Sequence, residues 1–85
     1  MCYHISMDIK ILDNPKGVKF VDLLAICKKY FGNPRITGSH HIFKTPWEGK
    51  PFVNIQKDGK MAKAYQVRDA KSAIEKMEVL NERHN

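Results

Sequence analysis

The stretch Gly38-Ser39-His40-His41-Ile42-Phe43-Lys44 gathers more chemical potential than any other part of this chain. Histidine moves protons near neutrality because its unperturbed pKa is about 6.5. A glycine ahead of it lets the backbone turn sharply or approach a ligand closely. A serine hydroxyl can donate to a phosphate oxygen. Adjacent histidines on a strand project to opposite faces, since strand side chains alternate with period two. One can therefore join the core while the other stays at an open face. The competing account is a hydrogen-bonded structural histidine beside an exposed one. No metal site is expected, because such histidines diverge and no carboxylate is spaced to complete a ligand set. Cys2 and Cys27 lack CxxC spacing, and Cys27 falls on an apolar helix face where it reads as a buried free thiol.

The basic surplus surrounds this stretch. The chain has 85 residues, 15 Lys plus Arg and 9 Asp plus Glu, for a net charge of +6. Residues 1–27 are balanced, with Lys10, Lys16 and Lys19 against Asp8, Asp13 and Asp22. Residues 28–68 carry nine basic side chains against only Glu48 and Asp58. A cationic field of this kind attracts phosphates and steers polyanions; a solvated, solubilising surface is the plainer account. Eighty-five residues allow one domain, spanning 1–85 with its core at about 19–82. No apolar run approaches the ~20 residues that would span a bilayer, and no signal peptide is evident, so a cytoplasmic location is expected.

Four kinds of element must position the motif. Tyr3, Ile5, Met7, Ile9 and Ile11 alternate with polar residues, which predicts an N-terminal strand, or an extension, within 1–15. Phe20, Leu23, Leu24, Cys27, Tyr30 and Phe31 recur at helical spacing and predict a helix over about 19–31, closed by Gly32. Arg35–Thr37, His41–Thr45 and Phe52–Gln56 read as three short strands whose connections are too short for crossover helices, so they should pair antiparallel. Val67, Ala70, Ile74, Met77 and Leu80 predict a last helix over about 65–82. The expected fold is an α+β two-layer sandwich: a three-stranded antiparallel sheet on two helices in the order α-β-β-β-α, with an N-terminal strand as the optional extra.

Gly38-Ser39-His40-His41-Ile42-Phe43-Lys44-Thr45-Pro46, preceded by a helix ending Phe31-Gly32, resembles the HicA family of toxin ribonucleases. The likeness continues through Phe52-Val53-Asn54-Ile55-Gln56, Gly59-Lys60 and the helix starting Tyr65-Gln66-Val67-Arg68, and covers about residues 19–77. Many members have a Val-Pro-x-His run on the third strand, where this chain has Asn54-Ile55-Gln56, without the second histidine. A Gly-Thr pair that often opens the last helix is replaced by Ala64-Tyr65-Gln66. The resemblance implies a fold like that of double-stranded-RNA-binding domains. It implies a toxin of a type II toxin–antitoxin system that cleaves mRNA with one essential histidine and is silenced by a HicB-type antitoxin. That histidine falls on His40, with His41 as the alternate. Lys57 to Lys63 is similar to the basic end of double-stranded-RNA-binding domains, where lysines at a helix start meet phosphates; a flexible, solvated turn is the plainer account of this segment.

On that reading the reaction needs no cofactor and no metal, since RNA carries its own nucleophile, the 2′-OH. His40 takes that proton or gives one to the leaving 5′-oxygen, Lys44 on the same strand face meets the phosphate, and Ser39, Lys57, Lys60 and Lys63 hold the RNA backbone. Two other readings stay open: a non-catalytic RNA-binding module, and an inactive toxin relative that acts as a protein-interaction domain through strand-edge pairing or as a homodimer. Trp47 is expected to pack on the sheet edge, with a partner contact as its alternative role. Tyr65 is expected to staple the last helix, with base stacking as its alternative role. Asp22 and Asp69 are expected as surface or capping groups.

Overall fold

Phe20, Leu23, Ile26 and Cys27 occupy one face of helix α1 (Phe20–Phe31) and are all buried. The computed structural model describes residues 10–84, and side chains as far as 81. Lys19 supplies no side-chain cap to α1, and the Phe20 N–H donates instead to the Lys60 carbonyl at 3.0 Å. Gly32 ends the helix with φ +83 and donates its N–H to the Lys28 carbonyl at 3.0 Å.

Three strands follow: β1 (Arg35–Thr37), β2 (His40–Phe43) and β3 (Val53–Ile55), antiparallel in the order β1-β2-β3. The expected α+β layout is the observed one. Strand β2 starts one residue earlier and ends two earlier than the periodicity suggested, because the turn before it has only two residues. Gly38 has φ +59 and Ser39 does not have a positive φ, the pattern of a type II′ turn with glycine first. That turn pairs Thr37 with His40 and Ile36 with His41.

Helix α2 (Ala64–His84) buries Val67, Ala70, Ala73 and Ile74 against the core, with Met77 and Leu80 half-buried. It lies along β3 and crosses α1. Phe43, Val53 and Ile55 supply the sheet's side of the core. Among the described residues no helix is long and apolar enough to cross a membrane.

Two expectations are corrected. The N-terminal strand does not reach its proposed end: Lys10 has helical backbone angles, Ile11–Asp13 forms a 3-10 turn, and a second such turn covers Pro15–Gly17. Leu12, not Ile11, is the buried residue there, and Lys71 on α2 holds Asp13 at 2.8 Å. Residues 3–9 of that strand lie outside the described residues. The basic segment 57–63 is not a simple turn. It contains a second hairpin, β4 (Lys57–Asp58) with β5 (Met61–Ala62), anchored by an antiparallel bridge between Lys19 and Met61 and by the Ala62 N–H on the Val18 carbonyl at 2.9 Å.

Cys27 is the buried thiol expected, and burial pushes its pKa up from 9.0 to about 12. The thiol is neutral in both states at low pH. Above pH 9 the unfolded chain loses this proton and the folded chain does not, so stability falls as pH rises toward 12, by at most about 1.4 kcal/mol per pH unit. In a Cys2→Ser protein at pH 8, a thiol-reactive dye should label Cys27 only once urea unfolds the chain. Immediate stoichiometric labelling of the native protein would contradict the burial.

Candidate active site

The two-residue turn decides which histidine faces outward. A slip of one residue would exchange the faces of His40 and His41. With the observed register, His41 lies opposite Ile36 and Ile55, and Phe43 opposite Val53, so His41 shares the core side. Its ring meets Phe20 edge-on at 5.1 Å, and its Nδ1 is buried with no hydrogen-bond partner among the described residues. His40 lies on the opposite face with Thr37, Ile42 and Asn54, all half-buried or exposed.

His40 Nδ1 lies 3.1 Å from Asn54 Oδ1. An amide oxygen only accepts, so Nδ1 carries a proton and Nε2 is the nitrogen left for other chemistry. Around this pair runs a chain of amides. Gln56 Nε2 donates to Ser39 Oγ at 3.2 Å. The Gln56 backbone N–H donates to Gln66 Oε1 at 2.7 Å, and Gln66 Nε2 donates to Gln56 Oε1 at 3.3 Å and to the Tyr65 hydroxyl at 3.2 Å. Gln66 is only 4 % exposed, so its full set of partners removes a desolvation cost and locks the start of α2 to the end of β3. Ser39, His40, Asn54 and Gln56 thus form one polar cluster at the β1–β2 turn. Neither Asn54 nor Gln66 was singled out from the sequence. A polar residue at an alternate strand position, as Asn54 is between Val53 and Ile55, is the only local signal for the first.

The lysines do not all join this cluster. Lys44 is exposed and lies just past the end of β2, four residues after His40. Lys57 and Lys60 line a pocket of about 270 Å³ with Lys19, Val21 and Gly59, where the Lys57 ammonium lies 5.9 Å from the centre of the Phe20 ring. Lys63 precedes α2, and its carbonyl accepts from the N–H groups of Gln66 and Val67, each at 3.0 Å.

Trp47 packs, but against side chains of α1 and α2 and not on a strand. Its Nε1 donates to the Pro51 carbonyl at 3.1 Å, its ring meets Phe31 edge-on at 6.5 Å, and the Lys76 ammonium lies 4.6 Å from its centre. Tyr65 does not staple the helix start by burial, since 55 % of it is exposed. Among the described residues no three His, Cys, Asp or Glu side chains come together as a metal-ligand set. No family model, no curated protein and no solved structure matches this chain.

Proposed function

We propose that this protein is a metal-independent endoribonuclease of the HicA toxin type, cutting mRNA with His40 and held silent by a HicB-type antitoxin. The observation that carries the reading is the His40–Asn54 pair on the uncovered sheet face, inside a strongly basic chain. With Nδ1 held by Asn54, the neutral ring offers Nε2 as a base for the 2′-OH. The oxygen attacks the adjacent phosphorus, the bond to the 5′-oxygen breaks, and that oxygen takes up a proton. Products end in a 2′,3′-cyclic phosphate. Resemblance to the toxin family supports both the reaction and the antitoxin partner, through Gly38-Ser39-His40 and the strand order.

The test is incubation of labelled single-stranded and duplex RNA with the protein in EDTA, beside His40→Ala and His41→Ala. Cleavage that needs His40 and leaves cyclic-phosphate ends supports the proposal. Dependence on His41 alone would move the active residue to the core side. A second reading, an RNA-binding module without catalysis, is favoured by one feature: the groups hydrogen-bonded around His40 are amides and a hydroxyl, with no second acid or base among the described residues.

Two further outcomes are expected. Asn54→Leu should slow single-turnover cleavage at saturating protein about five- to tenfold, because it removes one hydrogen bond that orients the base, worth about 1 kcal/mol. Unchanged turnover would deny Asn54 that role. Replacing Lys57, Lys60 and Lys63 together by glutamine should weaken binding of all RNA sequences alike. It should also flatten the salt dependence by about 0.7 in log–log slope for each phosphate that is no longer neutralised. A slope equal to wild type would place the RNA elsewhere on the surface.

A further inference from the structure

A groove of about 360 Å³ lies between β2, β3 and the start of α2, lined among others by Ile42, Phe52, Asn54, Tyr65 and Asp69. We propose that it binds one unpaired guanine base of the RNA, stacked on Phe52 and Tyr65 and read by the Asp69 carboxylate. The inference rests on the ribonuclease reading above and names the substrate feature that the same site selects.

Phe52 and Tyr65 are 56 % and 55 % exposed, a large apolar area to leave in water on so small a domain. Phe52 immediately precedes β3 and lines the groove with Asn54, and Tyr65 and Asp69, one helical turn apart on α2, share a face. The Tyr65 hydroxyl is held by Gln66 Nε2 at 3.2 Å, which presents the ring in one orientation and lowers the ordering cost of stacking. Aromatic faces of this kind hold bases that have left a helical stack, and they cannot reach bases paired inside an A-form duplex.

Asp69 makes no hydrogen bond or ion pair among the described residues. A carboxylate only accepts, and its two oxygens match two donors side by side. Guanine presents N1–H and the N2 amino group in that arrangement. Adenine and cytosine offer one amino group beside an acceptor, and uracil offers one N–H between two carbonyls. A smaller groove of about 170 Å³ shares Phe52 and Asp69 and is lined by Lys50, which supplies a cation for a phosphate flanking the base. Asn54 belongs both to the groove and to the His40 hydrogen bond, so a base seated there brings a neighbouring phosphodiester to His40.

The experiment uses 2′-fluoro octanucleotides, which lack the nucleophile and stay intact, in all-uridine form and with one central guanine, adenine or cytosine. Anisotropy titrations would compare wild type with Phe52→Ala, Tyr65→Ala and Asp69→Asn, all substitutions at exposed positions. The guanine oligomer is expected to bind wild type on the order of tenfold tighter than all-uridine, the scale of one seated base. Asp69→Asn should erase that preference without weakening the all-uridine oligomer, and either aromatic substitution should weaken guanine binding. Equal affinity for all four oligomers, or a guanine preference that survives Asp69→Asn, overturns the pocket while leaving RNA binding in place. No binding of any oligomer at low salt overturns both the pocket and the ribonuclease reading.

Discussion

The His40→Ala protein is expected to lose about 10²–10⁴-fold in RNA cleavage rate, the usual contribution of one positioned acid–base group. Its fold should survive. His40 projects from the uncovered face of β2, where truncation opens no internal void, and its one observed partner, Asn54, stays in contact with water. Its RNA affinity should stay close to wild type, because Lys57, Lys60 and Lys63 sit on other elements. Turnover would therefore collapse while binding and melting temperature hold. His41→Ala should give the reverse pattern. Its ring fills space against Phe20, so truncation lowers stability, yet the molecules that remain folded keep the His40–Asn54 pair and cut normally. Single-turnover rates with end-labelled RNA, read beside thermal melts, separate the two patterns. Undiminished cleavage by His40→Ala, or 5′-phosphate product ends, would remove the proposed chemistry.

Phe20→Ala is expected to destabilise the protein by about 3–5 kcal/mol, the range for deleting a buried aromatic ring. A domain of this length holds only about 4–13 kcal/mol in total, so the loss takes from about a quarter of the stability to all of it. Phe20 is 2 % exposed and joins three parts of the molecule. It starts α1, its ring meets His41 of β2 at 5.1 Å, and the Lys57 ammonium of β4 lies 5.9 Å from the ring centre. The backbone bonds that tie the β4–β5 hairpin to this segment, Phe20 N–H to Lys60 and Ala62 N–H to Val18, do not involve the side chain. The loss thus measures the ring itself. Urea unfolding followed by circular dichroism gives the value, and Phe20→Leu, which keeps most of the volume, should recover more than half of it. A loss under about 1 kcal/mol for Phe20→Ala would mean that the ring is not part of the core.

The parts of the fold whose signals are local are legible in the amino-acid sequence alone. The apolar spacing of Phe20, Leu23 and Cys27 marks α1, and Gly32 its end; Val67, Ala70 and Ile74 mark α2. The clustering of positive charge between residues 28 and 68 needs no fold at all. Alternation also shows that His40 and His41 part company, because strand geometry has period two. Which of them faces water was a tertiary decision. It depends on the two-residue turn at Gly38-Ser39 and on the pairing of β2 with β3, contacts between residues up to 14 apart in the chain. Asn54 became the partner of His40 through the same pairing, and Gln66 reached Gln56 only because α2 lies along β3. The β4–β5 hairpin was invisible for a related reason: two-residue strands carry no periodicity, and these form because Val18 and Lys19 are there to pair with them. Residue type and spacing thus set out the candidate chemistry, and long-range hydrogen bonding set which histidine faces outward and what surrounds it.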